Sequence, residues 1–449
     1  LFGVRLEDLE DEGTGEVVEA LISGGNTILA TAIDGEISSS SSSVDGLSDT
    51  SSSFDVVGVG GSHANVAIGA DGSLSSDLDF VLNSTAESTH RDAAVVIDGE
   101  QFSGSDFEQI NAGGNWVASS DLAGSFIGIA ESAVGDADVI NEIDAILGSS
   151  TTELLVKGSS NVDSNADVSL DYISSSQSGD ASSTSDLLQL LGLEIDGASN
   201  GATNAEIDGT LELDAQTKAA INELATSESG NAITTSFIHD GGGISLGESI
   251  TDASFDADAS VEFNIEQTSR SNGSDAGASS TVTETVAVEA DSHLQSGGDT
   301  SITADQNVFV KQNAHSLNGA STAASNGGSQ VGIELGTQEA GGQVQLVVNN
   351  FLGGEADATS VLATASTEEI QNYLAGLEAE SLSSGSGINS EADTSLAFTG
   401  HSISSEDNAT SRGAVNYVYG VDVESTTGNN VTFDASASTT LQQLAETIA

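Results

Sequence analysis

Residues 300–354 read TSITADQNVFVKQNAHSLNGASTAASNGGSQVGIELGTQEAGGQVQLVVNNFLGG. Val308-Phe309-Val310 begins an apolar segment, NAHSLNGASTAASNGGS follows, and Val331-Gly332-Ile333-Glu334-Leu335 returns. Apolar residues alternating with polar ones indicate half-buried strand. The Ser/Gly/Asn-rich spacer reads as an exposed turn or tip. Glycine between two apolar residues of the second strand predicts a bulge or a close approach of two backbones.

The same two-strand module recurs along the chain. Val261-Glu262-Phe263-Asn264-Ile265 leads through QTSRSNGSDAGASS to Val286-Ala287-Val288. Leu396-Ala397-Phe398 leads through HSISSEDNATSRG to Val415 and the strand ending at Val423. Val168 to Tyr172 leads to Leu191-Gly192-Leu193, Leu78 to Leu82 leads to Val95-Val96-Ile97, and Ile37 leads to Val57-Gly58-Val59. The copies start at irregular intervals, about 40 to about 90 residues apart, the scale of a repeat architecture.

Other segments predict helix. Residues 138–147 carry apolar residues at helical spacing and are followed by Gly148. Ser366-x-x-Glu369 is a capping-box pattern ahead of Ile370, Tyr373, Leu374 and Leu377. Asp214 is placed to cap a helix holding Ile221 and Leu224, and Thr440 to Ile448 and Glu16 to Ile22 read as terminal helices.

The expected fold is therefore mainly β: an elongated repeat protein, a parallel β-helix (solenoid) with a few short α-helices. The alternative is an antiparallel arrangement with long Ser-rich loops. The long spacers favour the first, because tight hairpins use loops of two to five residues. The expected organisation is an acidic, helical end segment at 1–30, a β repeat body at 31–435, and a C-terminal helix at 436–449. Helical inserts are expected near 138–147, 214–226 and 367–379.

The stretch at 300–354, and residues 250–360 more widely, resembles the repeats of large secreted bacterial adhesins of the filamentous-haemagglutinin type. There an "ITA…NV.V" strand, a Ser/Ala-rich spacer, a "VG" strand and an Asn-rich turn follow one another. The resemblance implies a parallel β-helix on a secreted or cell-surface fibre. It carries over no catalytic residue.

Composition narrows the function classes. The 449 residues include 70 Asp+Glu and 7 Lys+Arg, a formal charge of −63, with no proline, cysteine or methionine. Seven scattered cations cannot form the basic footprint that nucleic acid or an anionic membrane needs. Without cysteine there are no disulfides, thiolate metal sites or thiol chemistry. No run of 18 apolar residues is long enough for a membrane-spanning helix. Proline removes a ladder hydrogen bond, so its absence suits a sheet-rich body, whether parallel or antiparallel. The lack of an initiator Met at Leu1 leads us to expect a mature secreted chain from which a leader has been removed. A chain this acidic suits a saline or divalent-rich medium, where self-repulsion is screened.

Chemistry-bearing motifs are sparse. None of the six histidines lies at helical spacing from another. Two G-x-S-x-G matches, at Ser199 and Ser245, lack the helix that a nucleophile elbow requires. Carboxylate pairs suited to a glycosidase are everywhere, so none stands out; no enzyme is expected. Asp252, Asp256 and Asp258 are calcium candidates, since hard cations take carboxylate and carbonyl oxygen. No other cofactor is expected. Sequons at Asn83, Asn272, Asn408 and Asn430 are glycosylation candidates, three of them (Asn83, Asn272, Asn408) assigned to equivalent tip loops. Trp116, the single tryptophan, reads as a core residue ahead of a sugar-stacking one. The expected function is a secreted structural subunit of an extracellular filament, sheath or surface layer, partnered by itself through strand pairing or end-to-end stacking. The alternative is the shaft or binding module of an adhesin recognising a glycan or another surface. Nucleic acid and membrane insertion are not expected.

Overall fold

The computed structural model describes residues 2–5, 20–22, 27–60, 65–195 and 204–448. Among these residues all regular structure is strand. Ten strands, from Thr27–Ser43 to Val431–Thr447, form one sheet in order along the axis, and a second sheet of fourteen strands covers it. Neighbouring strands in both sheets pair in parallel. The fold is a two-sided parallel β-solenoid, and the antiparallel alternative is overturned by this pairing.

One coil comprises a straight strand of 17 or 18 residues, a four-residue turn, a second strand that bends, and a shorter turn. At about 3.3 Å per residue a straight strand is roughly 56 Å long. Trp116 pairs with Gly72 and with Ser160, so successive coils lie 44 residues apart. The step stays within one residue of this value except between Ser160 and Leu211, where it is 51. The irregular spacing expected from sequence is thus corrected to a regular period.

Three straight strands hide that period: Trp116–Ser132, Leu211–Ser227 and Gln343–Ser360. In the first, Gly124 takes an inward position where a Cβ would lie 2.6 Å from the Phe102 ring and 2.9 Å from the Phe126 ring. The apolar signal is missing because a neighbour's ring fills the space. In the second, small and polar inward residues such as Ala215, Thr217 and Glu223 blur the alternation.

The expected helices at 138–147, 214–226 and 367–379 are all strand, and the expected C-terminal helix at 436–449 is strand from 436 to 447, with 449 outside the described residues. For the end segment at 1–30, Ala20–Ile22 and the residues from Thr27 onward are strand, while 16–19 lie outside the described residues. The helical spacing at 138–147 has a specific cause. Val139, Asn141 and Ile143 point inward at period 2, and the strand then changes phase so that Ile146 and Leu147 are both buried. Period 2 with one phase change imitates i, i+4, i+7.

That phase change is where every bent strand turns. Its glycine recurs at Gly58, Gly104, Gly148, Gly192, Gly243, Gly332, Gly376 and Gly420, with Ala287 as the exception. A Cβ on Gly104 would sit 2.6 Å from the Gly148 carbonyl oxygen, and one on Gly192 would sit 2.8 Å from that of Gly243. Across the interior, Ser120 Oγ donates to Gly148 O and Ser164 Oγ to Gly192 O, both at 2.6 Å. Close backbone approach, expected from the apolar-Gly-apolar pattern, is what these positions provide.

The wide part of the interior is apolar. Phe54, Phe80, Phe102 and Phe126 form one ring cluster, with Phe54 and Phe126 centroids 5.0 Å apart. Trp116 and Tyr172 are fully buried, which places Trp116 in the core and away from any sugar. Where the two sheets converge at the four-residue turn, the interior becomes polar. Gln267 Nε2 donates to Glu223 Oε2 at 2.8 Å and to Ser236 Oγ at 2.9 Å, and Gln312 Nε2 donates to Gln267 Oε1 at 2.9 Å. The Ser-rich spacers are therefore strand ends closing around a narrow polar interior, joined by four residues, and are not long exposed loops.

Candidate functional site

The repeated chemistry of this chain lies in its turns and on its outer faces. Each straight strand ends on serine: Ser43, Ser88, Ser132, Ser176, Ser227, Ser271, Ser316, Ser360 and Ser404, with Thr447 in the last. Ser176 shows the pattern. Its Oγ accepts the Gly179 N–H at 2.8 Å and donates to Gly135 O of the preceding coil, also at 2.8 Å. One hydroxyl thus closes its own turn and ties it to the neighbour, satisfying groups that the sheets leave unpaired.

A second column lies four residues further on. The Asp136 N–H donates to Asp92 Oδ1 at 3.0 Å, that of Asp180 to Asp136 Oδ1 at 2.9 Å, and that of Asn231 to Asp180 Oδ1 at 2.7 Å. The opposite turn repeats the device, with the Asn115 N–H on Asp71 Oδ1 at 2.8 Å and the Ser159 N–H on Asn115 Oδ1 at 2.9 Å. Part of the acid content is therefore structural. A legible signal existed: Ser-x-x-x-Asp/Asn-Ala begins at Ser88, Ser132, Ser176, Ser227, Ser271 and Ser404. It is found only once the 44-residue step is known.

On the outer face of the straight strands, like residues stack into columns. Asp163, Asp214 and Asp258 are register partners on three successive coils. Partial burial, with the neighbouring carboxylates adding, raises the pKa of each above the ordinary aspartate value. The cations relieve such columns: Lys218 lies in register between Asp167 and Glu262, and Lys311 Nζ is 3.0 Å from Glu266 with Glu355 on its other side.

Of the calcium candidates, Asp256 and Asp258 face outward from one strand, as their spacing predicts, and Asp252 lies in the turn before it. Among the described residues, no group of three or more acidic or histidine side chains gathers around a common point. Of the sequons, Asn272 and Asn408 lie in four-residue turns and Asn430 in the opposite turn. Asn83 is an outward residue of the strand Gly72–Ser88, so the tip-loop placement expected for it is corrected. Ser199 lies outside the described residues. Ser245 stands in register between Glu194 and Glu289 on the bent strands. Histidines meet carboxylates of adjacent coils: His239 Nε2 is 2.9 Å from Asp186 and His90 Nδ1 is 3.0 Å from Asp45.

Two acids are buried: Glu223, and Glu369, which the sequence suggested as part of a helix capping box and which instead points inward from the strand Ala365–Ser384. Burial pushes Glu223 up to about 8, and Gln267 and nearby serines hold it from rising further. Burial likewise pushes Glu369 up to about 7, against a hydrogen bond from Gln443 Nε2 at 2.9 Å. Nothing in a run of acidic residues marks which ones alternate inward. No family model, curated protein or solved structure matches the chain.

Proposed function

We propose that this chain is a structural segment of an extracellular filament, sheath or surface layer in a saline medium. One observation carries the reading: the same coil is stacked in register along a single axis, with the serine and aspartate columns crossing from coil to coil. Such a body extends by repetition, since each edge strand offers unpaired backbone groups and a matching set of side-chain columns. In the edge strand Val431–Thr447, Phe433 and Leu441 belong to columns that inner coils bury, and here they are 38% and 39% exposed. A further coil, from whichever chain, would add by the same rule of strand pairing or end-to-end stacking. The resemblance of residues 250–360 to filamentous-haemagglutinin-type repeats supports a secreted or surface location. Electron microscopy of purified protein at high salt, with and without calcium, tests the proposal. Rods or filaments are expected; compact particles under every condition would refute it.

A further inference from the structure

The outer face of the straight strands carries a ledge that the structural role does not use. Phe309 and Phe351 face outward on adjacent coils and are half-buried. Between them is Gly353, the register partner of Phe309. A Cβ there would lie 2.7 Å from Phe351 Cζ and 3.0 Å from Phe309 Cδ2. A side chain at position 353 would therefore overlap the Phe351 ring and crowd Phe309, and glycine leaves room for both rings on the outer face. Beside the Phe351 ring runs a depression of about 510 Å³, edged by Asp305, Asn349 and Asp393 in register on three coils.

We propose that this ledge binds an uncharged polysaccharide. A sugar ring has an apolar C–H face, which suits an exposed aromatic face. Its hydroxyls both donate and accept, so they need mixed partners. The edge supplies them: Asn349 Nδ2 donates to Asp305 Oδ1 at 2.6 Å and Ser436 Oγ donates to Asp393 Oδ1 at 2.5 Å, leaving carboxylate lone pairs and an amide proton free to face a ligand. A cation site would present acceptors alone. An anionic polymer is repelled by these carboxylates and by the net charge of −63. The inference goes beyond the structural reading and fails separately from it: filaments that bind no glycan would refute the ledge and leave the structural role standing.

Affinity electrophoresis through gels containing dextran, mixed-linkage β-glucan or galactomannan, with alginate as the anionic comparison, tests it. At least one neutral polymer should retard the protein, and alginate should not. Phe351→Ala and Phe309→Ala should each weaken that binding about tenfold or more. Phe351→Leu, which keeps apolar bulk without a ring face, should behave like the alanine variant. Phe237→Ala, an aromatic removal on the other sheet, should leave binding unchanged. Circular dichroism and melting of each variant separate lost binding from lost fold. Retardation by none of the neutral polymers, equal retardation by alginate, or binding indifferent to the ledge variants would overturn the proposal.

Discussion

At the residue scale, two positions carry most of the argument. Glu223 is 3% exposed, and burial raises it from 4.5 to about 8. The folded chain thus holds a proton there that the unfolded chain gives up above pH 4.5. Its stabilising contribution is complete below pH 4.5 and is lost progressively as pH rises toward 8. The gap is worth on the order of 5 kcal/mol at 1.36 kcal/mol per pH unit. Glu369 acts in the same direction toward about 7. Melting temperature should therefore fall between pH 5 and 9. Glu223→Gln, which imitates the protonated acid and keeps its hydrogen bonds, should flatten part of that fall. A variant with the same pH slope as the parent would show that Glu223 is already ionised. The second position is the glycine at the bend. Gly192→Val would place a Cβ 2.7 Å from Thr217 Oγ1 and 2.8 Å from Gly243 O. Both neighbours are buried, and one is backbone, so neither moves cheaply. Overpacking of this kind costs about 1–3 kcal/mol. Chemical denaturation of the variant should show that loss, and an unchanged midpoint would mean that the bend is looser than its geometry implies.

At the element scale, the in-register parallel stack makes each outward position a column and each cation a spacer between acids. Lys218 separates Asp167 from Glu262. Charges on adjacent coils are about 4.8 Å apart, and in water-like surroundings such a pair is worth about 0.9 kcal/mol. Lys218→Glu exchanges two attractions for two repulsions. Allowing for solvent exposure, a loss of about 1–2 kcal/mol is expected at low salt, shrinking toward 1 M salt. Lys218→Gln should lose less. A loss that does not change with salt would assign the effect to packing of the lysine stem. Much of this element was legible in the sequence. The alternating strands at Val261–Ile265 and Leu396–Phe398 are placed correctly, and the glycine of Val331-Gly332-Ile333 marks the bend. Strands in which Gly124 yields its space to neighbouring phenylalanine rings, or Thr217 and Glu223 replace apolar residues, were not legible. Their burial is set by partners on other strands, such as Phe102 for Gly124 and Gln267, 44 residues on, for Glu223. The glycan ledge was hidden for the same reason: Phe309 and Gly353 meet only across a coil.

At the scale of the whole molecule, the charge of −63 and the 44-residue step are one problem. Stacking in register places like charges at the repeat distance, as in the column Asp163, Asp214, Asp258. Two lengths decide what relieves the repulsion. The neighbour distance of about 4.8 Å lies inside the screening length of about 8 Å at 0.15 M salt and outside that of about 3 Å at 1 M. Second neighbours, at roughly twice the coil spacing, are already screened at 0.15 M. Most of the remaining repulsion therefore comes from adjacent coils, and it should disappear between those two salt concentrations. Stability should climb steeply from 0.1 to 1 M NaCl, and a few millimolar calcium or magnesium should reproduce much of the gain. Sodium chloride also changes water structure, so the comparison needs an internal control. Replacing the column by Asp163→Asn, Asp214→Asn and Asp258→Asn keeps its shape and removes three charges. The triple variant should be more stable than the parent at 0.1 M and nearly equal to it at 1 M. Parallel salt curves for the two proteins would place the repulsion elsewhere, and a flat curve for the parent would show that the backbone and serine ladders hold the stack whatever its charge.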